Sequence, residues 1–137
     1  MGKEILEGNK LIAEFMGYKF NAYPELRHHN ITRPGYNDWF YASMELEEFN
    51  HELLNILQYH KSWNEIMPVI DKIMDIDITP APQWTGYRME IVPRGYVKIS
   101  GFPMHTITTN VSIEGSLIKA VWKAVVQFIH FYNTQSK

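Results

Sequence analysis

The chain has 137 residues, 45% of them hydrophobic and 20% charged, and a formal net charge of −2. That is enough chain for a single packed domain over 1–137, and it lacks the dense basic field that double-stranded nucleic acid requires of its binders. There is no cysteine, which removes disulfides, thiolate zinc sites and thiol nucleophiles together.

Charge is spread unevenly, with nine acids against five bases over residues 1–60 and six against eight over 61–137. The opening MGKEILEGNK has no apolar signal-peptide core, and no run reaches membrane-span length. A cytoplasmic protein with no membrane partner is therefore expected.

Residues 3–16 read as an amphipathic helix, with Ile5, Ile12, Phe15 and Met16 on one face and Lys3, Glu7, Lys10 and Glu14 on the other. Gly8 weakens it, and Gly17 stands where a left-handed cap belongs. Tyr18 to Phe20 reads as a short strand. Residues 21–43, punctuated by Pro24, Pro34 and Gly35 and rich in aromatics, read as an irregular loop region. Trp39 to Tyr41 within it has the composition of a short strand.

Residues 45–58 predict a helix with Leu46, Phe49, Leu53, Ile56 and Leu57 inward and Glu45, Glu48 and Glu52 outward. The Ser62-Trp63-Asn64-Glu65 run fits a capping box ahead of a further helix, whose buried face is Ile66, Val69, Ile70 and Ile73. Pro68 conflicts with that start. The spacing implies either that Asn64 is the true cap or that the helix bends.

Val92-Pro93-Arg94-Gly95 predicts a hairpin turn, with Gly95 left-handed. Closing it places Ile91 opposite Val97, Met89 opposite Ile99, Glu90 opposite Lys98 and Arg88 opposite Ser100. Apolar residues then meet apolar ones, and an acid meets a base. Met104 to Val111 follows as a third strand. Ser112 to Asn133 closes the chain as one long helix, with Leu117, Ile118, Val121, Trp122, Val125, Phe128, Ile129 and Tyr132 as its apolar stripe. The fold class is α+β, an antiparallel meander of about three to four strands packed with amphipathic helices.

Three segments carry a resemblance. They are Leu11 to Gly17 (LIAEFMG), Tyr59 to Ile73 (YHKSWNEIMPVIDKI) and Ile118 to Asn133 (IKAVWKAVVQFIHFYN). Together they resemble a family of short uncharacterised proteins carried by phages and prophages of gut bacteria. More loosely they are similar to the phage ABA sandwich domain. The resemblance covers about a third of the chain. It implies a sheet between two helical layers and an origin on a mobile element, hence the host cytoplasm. Family members usually carry Trp-Asp-Trp after the serine, where this chain has Trp63-Asn64-Glu65. The resemblance implies no catalytic residues.

The chemistry-bearing patterns are sparse. Glu48 and His51 form an E-x-x-H on the 45–58 helix, whereas di-iron chemistry needs two such helical motifs and two further carboxylates facing inward. His28-His29 cannot share a strand face, and His60 and His105 read as hydrogen-bonded structural residues. There is no nucleophile elbow and no glycine-rich phosphate loop, so no cofactor is expected and catalysis is disfavoured. Arg88, Tyr96, Lys98, Thr106 and Thr108 are expected on one polar sheet face, with Trp39 supplied by the 21–43 region above it. Charge pairing, stacking and hydroxyl hydrogen bonds suit a small anionic, nucleotide-like ligand such as a host defence signal. The other reading is a module that binds a host or phage protein through exposed aromatics. A homo-oligomer is compatible with either.

Overall fold

A computed structural model describes residues 2–23, 28–32, 39–42, 46–76, 87–101 and 104–135. The chain is α+β. It divides into two compact units, residues 1–58 and 59–137, each built on its own three-stranded antiparallel meander.

The first unit runs α1 (Gly2–Phe15), β1 (Lys19–Tyr23), β2 (His28–Thr32), β3 (Trp39–Ala42) and α2 (Leu46–Ile56). The expected cap closes α1. Gly17 is left-handed at φ 98°, its amide donates to the Glu14 carbonyl, and the Tyr18 amide reaches back to Ala13. This is the paired-bond stop that a glycine permits. Ile12 and Ala13 of α1 are buried, as are Phe49, Leu53 and Leu57 in and just after α2. Asn9, also buried, donates its amide to the Leu57 carbonyl at 2.9 Å, satisfying one of the acceptors a helix end leaves open.

The 21–43 stretch differs from its reading as a loop. β2 pairs with β1, Lys19 against Thr32 through Tyr23 against His28. β3 pairs with β2, His28 against Ala42 through Ile31 against Trp39. These strands are four or five residues long, and His28-His29-Asn30 shows no apolar alternation. The short strand expected at Trp39 to Tyr41 is β3; β2 is a strand through cross-strand hydrogen bonds rather than side-chain pattern, so periodicity does not reveal it. The expectations about Pro24, Pro34 and Gly35 fall outside the described residues.

The second unit runs α3 (Trp63–Asp75), β4 (Arg88–Ile91), β5 (Tyr96–Gly101), β6 (Met104–Asn110), α4 (Val111–Glu114) and α5 (Leu117–Gln135). The helix α3 buries Ile66, Val69, Ile70 and Ile73, as the spacing requires. Its start departs from the capping box. Ser62 is the N-cap, but its hydroxyl makes no capping bond; its carbonyl instead accepts from the amides of Glu65 and Ile66. The helix continues through Pro68, whose ring lies on the exposed side.

The hairpin register is the one the turn dictates, pairing Arg88 with Ser100, Met89 with Ile99, Glu90 with Lys98 and Ile91 with Val97. The turn is closed by the Gly95 amide on the Val92 carbonyl and the Val92 amide on the Tyr96 carbonyl, both at 2.8 Å. Gly95 is not left-handed; among described glycines only Gly17, Gly101 and Gly115 have positive φ. Val97 and Ile99 are fully buried and Met89 is half-buried. Ile91, next to the turn, is 38% exposed.

The strand β6 adds to β5 with Lys98 against Thr108 and Val97 against Thr109, and a bulge lies between Ile99 and Gly101. The long C-terminal helix is interrupted where one continuous run was expected. Asn110 caps α4 by accepting from Ser112 and Ile113, and left-handed Gly115 (φ 95°) ends it. The Ser116 hydroxyl then accepts from the Lys119 amide at 3.2 Å and starts α5. The break turns α5 across β5 and β6, against which it packs. Ala120, Val121, Trp122, Ala124, Val125, Phe128 and Ile129 are buried. The Thr109 hydroxyl donates to the Ala120 carbonyl at 2.7 Å.

Trp122→Ala should cost about 3–5 kcal/mol in a denaturant titration. Lys123, held only 3.9 Å from Glu114 at the surface, should cost less than about 1 kcal/mol when changed to Ala. Equal small losses would show that α5 presents the wrong face. Gly101 tests the bulge separately. A Cβ there would lie 2.6 Å from Tyr87 Cδ1, and the Tyr87 ring is buried edge-on against Phe128 at 4.7 Å. Gly101→Ala should therefore lower stability by about 1–3 kcal/mol, and an unchanged melting curve would contradict that packing.

Candidate functional site

Alternation along three registered strands assembles the polar face of the second sheet. Arg88 and Glu90 come from β4, Tyr96, Lys98 and Ser100 from β5, and Thr108 from β6. The opposite side carries Val97, Ile99 and Thr109, all buried. Arg88, Glu90, Thr106 and Thr108 are exposed; Tyr96 and Lys98 are half-buried. Neighbouring strands lie ~4.8 Å apart, so one small molecule can touch all three.

The sequence-predicted residues thus divide. The structure brings Arg88, Tyr96, Lys98 and Thr108 onto one face; Thr106 is exposed on β6 but lies where the β5–β6 register shifts, without a registered partner. Trp39 is not in that group. It lies on β3 of the first unit, registered with Ile31.

Electrostatics on this face depart from simple cross-strand pairing. Glu90 stands opposite Lys98, yet its Oε1 accepts a 2.7 Å hydrogen bond from the Tyr96 hydroxyl. Tyr96 is diagonal to Glu90 across the hairpin, a separation long side chains span readily. That bond and the carboxylate charge push the Tyr96 phenol above the usual tyrosine value of 10.0, with a further push from desolvation. Among the described residues no ion pair joins Glu90 to Lys98. The partnership of Glu90 with Tyr96 was missed from sequence, although their shared face and diagonal positions were the available signal.

The first unit contributes a cleft of about 610 Å³. From α1 it is lined by Lys3, Leu6, Glu7 and Lys10, and from α2 by Glu47, Asn50 and His51. The spacing is helical on both sides, three and four residues apart, so one stripe of each helix faces the gap. Charges alternate along it and largely cancel, and the Lys10 ammonium sits 5.6 Å from the Phe20 ring centroid. The buried Asn50 Oδ1 has no hydrogen-bond partner. Glu48 and His51, the E-x-x-H pair, are exposed on α2. Among the described residues no group of three or more histidine and carboxylate side chains could hold a metal ion.

Other histidines are accounted for by position. His28 and His29 occupy consecutive positions of β2, registered with Tyr23 and Ala22. His60 is held below the usual value of 6.5, first by burial and then by the charges of Lys61 and Lys119. No helix among the described residues is long and apolar enough to cross a membrane. No family model, no curated protein and no solved structure matches this chain.

The Glu90–Tyr96 bond is open to direct measurement. Glu90→Gln removes the charge that raises the Tyr96 phenol, so tyrosinate absorbance should develop at lower pH than in the unmodified chain. Identical alkaline titrations of the two proteins would show that the bond does not form in solution.

Proposed function

We propose that this chain is a small non-enzymatic protein of a phage or other mobile element that binds a small anionic, nucleotide-like ligand in the host cytoplasm. Sequestering a host defence signal is the role this would serve. The carrying observation is the solvent-facing side of β4, β5 and β6. Arg88 and Lys98 there present two cations without a carboxylate partner among the described residues, beside the Thr108 hydroxyl and the Tyr96 ring. Guanidinium and ammonium groups supply charge-assisted hydrogen bonds to phosphate, and hydroxyls orient it. The three segments that resemble phage and prophage proteins support the origin. The lack of a nucleophile motif supports binding rather than catalysis.

A second reading has its own observation. Trp63, Met67 and Met74 lie on the outer side of α3 and are 40%, 44% and 44% exposed. An apolar stripe of that kind suits a protein partner, host or phage, or a second copy of the chain.

A thermal-shift series against nucleotides decides between them. A ligand at one hundred times its Kd adds about 2.7 kcal/mol of stability, a clear rise in melting temperature. Arg88→Ala should weaken binding roughly ten- to a hundredfold, since a hydrogen bond to a charged group is worth ~1.5–3 kcal/mol. It should leave folding unchanged because Arg88 is exposed. Full affinity in both Arg88→Ala and Lys98→Ala would move the site elsewhere. If no nucleotide shifts melting, and Trp63→Ala abolishes capture of a host protein, the protein-binding reading holds instead.

A further inference from the structure

We propose that Glu90 is the selectivity-determining residue of the polar face, admitting an anion that carries a base with adjacent N–H donors, guanine above the others. It rests on the ligand-binding reading of that face and refines it. The argument begins with a misfit. Glu90 is the cross-strand partner of Lys98 and lies two residues from Arg88 on β4. A face for bare phosphate gains nothing from a carboxylate within one strand spacing of one cation and ~7 Å of the other, because its charge offsets that of one of the two bases and weakens the attraction.

The carboxylate is also held in place. Tyr96 donates to Oε1 at 2.7 Å, which occupies one acceptor position of about four on an ionised carboxylate. Glu90 is exposed, so its other acceptor positions are open to a ligand that brings donors. Nucleobases differ sharply in what they bring. Guanine carries N1–H and its exocyclic amine side by side, and a carboxylate can accept both at once. Adenine and cytosine each set a single amine beside a ring acceptor, which a carboxylate repels. Uracil offers one N–H between two carbonyls. Reading this edge by hydrogen bonds is how proteins distinguish exposed bases. Arg88 and Lys98, flanking Glu90 on β4 and β5, remain for the phosphate, with Thr108 beside Lys98.

A wrong base loses a hydrogen bond to the charged carboxylate and sets a ring acceptor against it. Guanosine monophosphate should therefore bind more tightly than adenosine monophosphate by at least about tenfold. Inosine monophosphate, which keeps N1–H and lacks the amine, should fall between them.

Equilibrium dialysis of the full chain against guanosine, inosine and adenosine monophosphates and inorganic phosphate tests this. Four proteins are compared, the unmodified chain, Glu90→Gln, Tyr96→Phe and Arg88→Ala. Glu90→Gln should lose about tenfold for guanosine monophosphate and gain affinity for inorganic phosphate, since a repelling charge is removed. Those opposite signs cannot arise from a folding defect. Tyr96→Phe should keep the preference for guanine, and Arg88→Ala should weaken all three nucleotides alike. Equal binding of guanosine and adenosine monophosphates, both weakened by Arg88→Ala and neither by Glu90→Gln, would overturn the role of Glu90 while leaving the anion site standing. No binding of any nucleotide would overturn both.

Discussion

The hydrogen bond from the Thr109 hydroxyl to the Ala120 carbonyl, 2.7 Å long and buried, keys the long helix to the sheet of the second unit. A threonine on the buried side of β6 would otherwise bring an unsatisfied hydroxyl into the core, at a cost of about 1–3 kcal/mol. The carbonyl it finds is accessible because Ala120 and Ala124, both buried, leave room for strand and helix backbones to approach. Trp122, Val125, Phe128 and Ile129 then fill the space on either side. Tyr87, Phe128, Phe131 and Tyr132 extend this core as an edge-on and stacked aromatic group.

That packing has a consequence for the other side of the sheet. With Val97, Ile99 and Thr109 directed into the core, strand alternation commits Arg88, Glu90, Tyr96, Lys98 and Thr108 to a common opposite face. The polar face is thus produced by the helix on the far side as much as by its own residues. A slip of one residue in the hairpin would bury Glu90 and Lys98, and the cost of burying charge excludes that register.

The two places that gather polar groups differ in physical character. In the cleft of the first unit, Lys3, Glu7 and Lys10 are spaced along a single helix, so opposite charges neighbour one another by helical geometry. On the sheet, Glu90 is hydrogen-bonded by Tyr96 instead of being paired with its opposite number Lys98. The cations are therefore less compensated, and the face keeps a distinction between its carboxylate and its bases that a ligand can read. The exposed Trp63, Met67 and Met74 of α3 are a third kind of surface, apolar and convex on a helix.

Local pattern alone determined much of this protein. The α5 stripe, the buried face of α3, the Gly17 cap and the hairpin register follow from spacing and turn chemistry, because each is decided by residues within a few positions of one another. The shared face of Arg88, Tyr96 and Lys98 followed from that register, and the composition of Trp39 to Tyr41 marked the short strand β3. Tertiary structure decided the rest. The strand β2 exists through backbone bonds to partners that His28-His29-Asn30 does not announce, and those bonds place Trp39 in the sheet of the first unit. The break at Gly115 was settled by Asn110 capping α4 and by the need to lay α5 across the sheet. Pro68 stayed within α3 because its ring faces outward while Ile66, Val69, Ile70 and Ile73 hold the helix to its core. The choice of Tyr96 over Lys98 as the partner of Glu90 was settled by side-chain reach, because the register offers Glu90 both an opposite and a diagonal neighbour on the same face.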